Sequence, residues 1–280
     1  MNISNTGRIL LSLSFTVSTG CSQGVSFGNA LSEKLQESVT PDAPIICEPG
    51  QVVVVKPMKI LFLVDQSGSN INGPFEHPGQ ATDPLKTFRY GVMNEFFQQH
   101  GLKQYLSWGL ITFNGTTAKG IINSGSNVNP VFTSDPGVAE QGLNTFNATG
   151  DVGNTPYRAA LAKTRELIQQ DIAANASEFD YRVVMISDGY PTDYCPGGIG
   201  VTLCPGTMLE NEIDADVLSI INLAPTRIQM NQVYYGLPDA GATARLQRMA
   251  MIGNGQYVDT NTSLEVHLDD LIEVEQPICQ

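Results

Sequence analysis

Three short segments carry oxygen donors at spacings that suit a hard cation. Asp65-Gln66-Ser67-Gly68-Ser69 places a carboxylate and two hydroxyls on alternate positions of one tight turn. Gly150-Asp151-Val152-Gly153-Asn154-Thr155-Pro156 offers the hydroxyl of Thr155, and Ser187-Asp188-Gly189 offers a second carboxylate. Carboxylate and hydroxyl oxygens match Mg2+, Mn2+ or Ca2+ rather than zinc or copper. Taken singly, each segment has an ordinary use: the first as a turn or helix cap, the second as a helix start at Thr-Pro, the third as a turn. Together, in three loops of one chain that each border a predicted element, they form a candidate metal site.

Those loops are useful only if the elements around them converge. Apolar runs and helical periods predict strands at 59–65, 105–113, 181–187, 232–237 and 257–258. They alternate with helices at 85–100, 157–174, 211–223, 242–252 and 262–272. The stretch 117–150 is less regular, with a short strand near 121–122 and a helix after Pro136. A run of four valines, 52–55, precedes Pro57 and reads as the start of the strand region. Strands that are apolar on successive residues are covered on both faces, and alternation with helices makes the fold class α/β: a doubly wound, mostly parallel sheet with helices on both faces. In such a sheet ligands bind beyond the carboxyl ends of the strands, where two of these three segments directly follow a strand.

In order and spacing the three segments resemble the metal-ion-dependent adhesion site of von Willebrand factor A domains, over roughly residues 48–278. Ala159-Ala160-Leu161 and the passage from Met249-Ala250 to Gly253-Asn254-Gly255-Gln256-Tyr257 extend the likeness. The resemblance implies a first metal loop of Asp65, Ser67 and Ser69, a second of Thr155 and a third of Asp188. It also implies a protein ligand that presents an Asp or Glu carboxylate to the ion, and two states that differ in whether Thr155 joins the inner shell and in the position of the last helix. Two departures stand out: a long loop from Asn70 to Asp83, and an insertion, Cys195 to Cys204, beside the third metal loop.

Composition narrows the partners. The 280 residues hold 28 acidic against 15 basic side chains, a net charge of −13, which removes the electrostatic footing for nucleic acid and disfavours anionic membrane surfaces. Residues 1–20 read as an export signal, with Arg8, an apolar run 9–17 too short to span a bilayer, and small residues up to Gly20. Val17-Ser18-Thr19-Gly20-Cys21 resembles the lipobox of bacterial lipoproteins, except that Ser18 stands where an aliphatic residue is usual. Lipidation of Cys21 and plain cleavage after Gly20 both fit. On the first reading the protein is anchored in the bacterial envelope, with residues 21–47 as lipidated N-terminus and tether and 48–279 as the domain.

Five cysteines leave one over if four pair in an oxidising compartment, and Cys21 would be that one. The nested arrangement predicts Cys47–Cys279 clamping the ends of the domain and Cys195–Cys204 closing a short loop. His77, His100 and His267 show no metal spacing, and neither phosphate-loop glycines nor a nucleophile elbow occurs. The expected class is a non-enzymatic binding module of the envelope. A structural subunit with a structural ion and a metal-dependent hydrolase are the other two readings, and the hydrolase would need a base or nucleophile that the sequence does not offer.

Overall fold

The computed structural model describes residues 47–279 apart from 75–76, 176–178, 190, 197–207, 264 and 275–277. The expectations placed on residues 1–46, including Cys21, and on Cys204 lie outside the described residues.

A six-stranded sheet has the order β4-β3-β2-β5-β6-β7. Its strands are β2 (Met58–Asp65), β3 (Leu106–Asn114), β4 (Thr117–Gly120), β5 (Asp180–Ser187), β6 (Ile228–Tyr234) and β7 (Tyr257–Asp259). All neighbours run parallel except β3 and β4, a hairpin turned at Gly115 and Thr116. Every residue of β2 and β5 is buried, which is why Ile60–Val64 and Val183–Ile186 read as apolar on successive residues. Along β2, Leu61 and Leu63 pack with α4 (Tyr157–Ala174), α5 (Glu210–Ile221) and α6 (Ala240–Ile252). Ile60, Phe62 and Val64 pack on the other face with α2 (Thr87–His100) and α3 (Pro136–Ala148). Side chains alternate along a strand, so one segment fills both cores. A four-residue helix, α1, spans Ser69–Asn72.

The chain leaves β2 for β3 on one side and later returns to pair β5 on the other. That reversal makes the carboxyl ends of β2 and β5 the switch point, where a doubly wound sheet opens a crevice. Register pairs Val64 with Ile186, which sets Asp65 beside Ser187.

Three expectations are corrected. The helix expected over 262–272 is absent among its described residues, where a single 3-10 turn, Leu268–Asp270, forms instead. Asn261 N and the Thr262 hydroxyl bond the side chain and carbonyl of Asp259, a local alternative that competes with helix formation. Leu268, Leu271 and Ile272 still reach the core, so their helical spacing reflects one turn. The valine run is not part of the main sheet. Val52, Val53 and Val54 are exposed, and β1 (Val53–Val54) pairs antiparallel with β8 (Ile278–Cys279) in a separate ribbon. The strand expected at 232–237 is β6, which starts four residues earlier, because buried Asn231 and Gln232 hide its apolar character in sequence.

Beside that ribbon Cys47 and Cys279 are joined, as expected. Cys195 is also disulfide-bonded, and its expected partner is the undescribed Cys204. The outer bond closes a separation of 232 residues, so in the chain-entropy picture it restricts the unfolded chain strongly. Replacing both Cys47 and Cys279 by serine is expected to lower unfolding free energy by about 2–4 kcal/mol in urea denaturation. Unchanged stability would mean that the ribbon alone holds the ends.

Candidate metal centre

Four of the five predicted ligands converge. Asp65 ends β2 fully buried, and its Oδ1 accepts from the Ser67 backbone N–H at 2.8 Å, which bends the chain into the first loop. The Ser67 and Ser69 hydroxyl oxygens lie 2.9 Å apart, and Ser69 Oγ donates to Asp188 Oδ1 at 3.0 Å. Ser187 Oγ donates to Asp65 Oδ2 at 2.7 Å, and the Tyr157 hydroxyl lies 2.7 Å from both Ser187 Oγ and the Gly189 carbonyl.

Thr155 is brought in by backbone rather than by its side chain. Val152 N–H donates to the Gln66 carbonyl at 2.9 Å, and Gly68 N–H donates to the Gly153 carbonyl at 2.8 Å. Gly153 adopts φ +76°, and a Cβ there would stand 2.8 Å from Gly115 Cα, so this close seam needs glycine twice over. The Thr155 carbonyl accepts from Thr192 N–H, while its buried hydroxyl makes no hydrogen bond among the described residues.

Beneath the loops lies a charge network with little trace in the sequence. Arg89 is fully buried on α2. Its Nε donates to Asp83 Oδ2, Nη2 to Asp151 Oδ2 at 2.8 Å, and Nη1 to Asp151 Oδ1 and to the Asp65 carbonyl. Asp83 also caps α2 by accepting from the N–H groups of Phe88 and Arg89. Lys86, at φ 55°, reaches the carbonyls of Phe146, Asn147 and Thr149 at the end of α3, and its Nζ lies 3.9 Å from Asp151. The only sequence signal for Arg89 is its spacing with Val92, Met93 and Phe96 on the buried stripe of α2. Asp151 stands in the second loop, and Asp83 follows Thr82 in the long loop of the first.

The charges decide what fits. Lys86 and Arg89 sit among four carboxyls, Asp65, Asp83, Asp151 and Asp188, so ionising all four would leave an excess of two negative charges in the cluster. Arg89 is taken up by Asp83 and Asp151, so the excess sits on Asp65 and Asp188. Burial first, and then the Asp188 carboxylate, push Asp65 up to about 7. Burial likewise raises Asp188. A divalent cation on the hydroxyl side would neutralise this pair, so the donor set fits Mg2+, Mn2+ or Ca2+ in both charge and ligand type. No group of three or more His, Cys, Asp or Glu side chains is placed to hold a metal among the described residues, so the hydroxyls are needed to complete this donor set. His100 and His267 contact Asp269, Glu95 and Glu265, away from the cluster.

No family profile and no curated protein matches the sequence. Solved structures do. The manganese-loaded TRAP protein of Plasmodium vivax is 15% identical, with a TM-score of 0.50 over 82% of this chain and 80% of that one. The three N-terminal domains of the type V pili tip protein Mfa5 from Porphyromonas gingivalis are 13% identical, with a TM-score of 0.51 over 73% of this chain, which spans 47% of theirs. The SpRpn10 VWA domain is matched over 73% of this chain and 88% of its own, at 13% identity and a TM-score of 0.45. At such identities the likeness to TRAP and Mfa5 is one of fold alone, and the fold is of the von Willebrand factor A type.

Proposed function

We propose that this is an exported binding module that holds one Mg2+, or Mn2+ or Ca2+, on Asp65, Ser67, Ser69, Thr155 and Asp188. A partner protein docks on it through an Asp or Glu side chain. The observation that carries the reading is the buried Asp65 and Asp188 pair, each pushed up by burial and so awkward to ionise together without a cation, beside an oxygen-only donor set. With only two carboxylates among five ligands, the residues leave a bound dication electron-poor enough to accept an outside carboxylate. The rim supports docking of a macromolecule: Ile71 and Val152 flank Gly68, and are 43% and 63% exposed. Exposed apolar side chains grouped around a polar site are a common mark of interaction surfaces.

The fold neighbours suit the reading, since one is a pilus tip protein and another was solved with manganese. In the proposed layout residues 1–20 direct export, Cys21 carries a lipid, residues 21–47 form the tether and 48–279 the domain. Plain secretion after cleavage at Gly20 is the competing form. No helix among the described residues is long and apolar enough to cross a membrane.

Thr155→Ala tests the docking role. Envelope proteins retained on immobilised domain in Mg2+ and released by chelator are expected to be lost with this variant, while its thermal midpoint in chelator stays within about 2 °C of wild type. The near-complete burial of Asp65, Ser67 and Asp188 favours the alternative of a structural ion. That reading predicts the reverse: retention that ignores both chelator and Thr155→Ala as long as the domain stays folded.

A further inference from the structure

The long loop between α1 and α2 brings to the cluster a side chain that none of the three motif segments contains. Thr82 Oγ1 donates to Asp188 Oδ2 at 2.6 Å, while Ser69 Oγ donates to Asp188 Oδ1. Asp188 is thus held by a hydroxyl on each oxygen. The Ser69 hydroxyl belongs to the predicted ligand set, and the Thr82 hydroxyl does not.

The surroundings of Thr82 are fixed on both sides. Its hydroxyl also lies 3.3 Å from Asn70 Oδ1, and Asn70 is fully buried. Asn70 donates from Nδ2 to the Ser67 carbonyl and accepts at Oδ1 from the Tyr235 hydroxyl at 2.7 Å. On the chain side, the next residue, Asp83, donates its N–H to the Asn70 carbonyl and carries the salt bridge to Arg89. The position of the hydroxyl is therefore dictated by the first metal loop and by α2 together.

We propose that Thr82 is a positioning residue of the cation site. Its hydrogen bond to Asp188 Oδ2 fixes the carboxylate plane, so that Oδ1 stays beside Ser69, where the other ligands converge. The inference rests on the cation reading above. Partners of ligand groups commonly set metal affinity by tenfold to a hundredfold without touching the ion. They matter most for Mg2+, whose small octahedral shell tolerates little displacement, and least for Ca2+, whose longer and more variable contacts adapt.

The test is calorimetric titration of chelator-stripped protein with Mg2+ alone and with Ca2+ alone, using wild type, Thr82→Val and Thr82→Ser. Valine keeps the shape and removes the hydroxyl, while serine keeps the hydroxyl. Thr82→Val is expected to weaken Mg2+ about 10- to 100-fold and Ca2+ less than about 3-fold, with Thr82→Ser near wild type on both. A merely structural role would lower the thermal midpoint in chelator and leave the ratio of the two affinities where it was. Unchanged Mg2+ affinity in Thr82→Val, or equal losses for both ions, overturns the inference. A wild-type protein that binds neither ion overturns the cation reading itself, and this inference with it.

Discussion

Metal-stripped protein titrated with Mg2+ is expected to show one site per chain, and Asp65→Ala none. The loss should be complete because the variant removes a ligand and half of the uncompensated charge together. Binding to the folded state alone adds stability, about 4 kcal/mol at a thousand times the dissociation constant, so wild type should gain a raised thermal midpoint that the variant lacks. In chelator the pH dependence has a definite sign. The Asp65 carboxyl is pushed up to about 7 in the folded protein, from an ordinary value of 3.8, by burial and by Asp188. The folded state therefore holds a proton that the unfolded chain has released, and stability falls as pH rises from about 4 to about 7. Asp65→Ala should flatten this slope. Saturating Mg2+, which favours the ionised carboxylate, should reduce or reverse it. Denaturation in urea at pH 5 and pH 8, with chelator and with Mg2+, measures all three. One Mg2+ still bound by Asp65→Ala would remove Asp65 from the site and with it the charge argument.

Arg89→Met is expected to be the most damaging single change away from the ligands, costing about 3–5 kcal/mol of unfolding free energy. Methionine fills much of the volume but leaves Asp83 and Asp151 buried with their guanidinium partner gone and the Asp65 carbonyl without its donor. Breaking a buried pair by removing one partner is far costlier than removing both. Adding Asp151→Asn to Arg89→Met should therefore recover part of the loss, a coupling that a double-mutant cycle reads directly. A loss below about 1 kcal/mol for the single variant would show that the network is solvated in solution and contributes little.

Much of the architecture was legible because burial on both faces writes itself into a strand. The largely apolar segments that became β2, β3 and β5 needed no partner to be recognised, and α4 was bounded by Pro156 and the polar residues after Ala174. The misreadings have separate causes. At 262–272 an apolar spacing of three and four residues was satisfied by one turn, because Asp259 offered the backbone closer partners than a helix would. At 52–55 a strongly β-forming sequence pairs through Val53 and Val54 with the distant β8, and Val52 to Val54 stand exposed outside the main sheet.

The sequence by itself determined the fold class and the identity of the candidate ligands, since donor chemistry and strand-end position are both local properties. It also carried the Cys47–Cys279 pairing in the nesting of its cysteines. Only the tertiary structure decided which charges remain uncompensated. Arg89 pairs directly with Asp83 and Asp151 and acts on Asp188 only at a distance, so burial still dominates at Asp65 and Asp188. Thr82 meets Asp188 across 106 positions of sequence. A contact of that kind depends on where β2 and β5 end relative to one another, and no local pattern of residues encodes that distance.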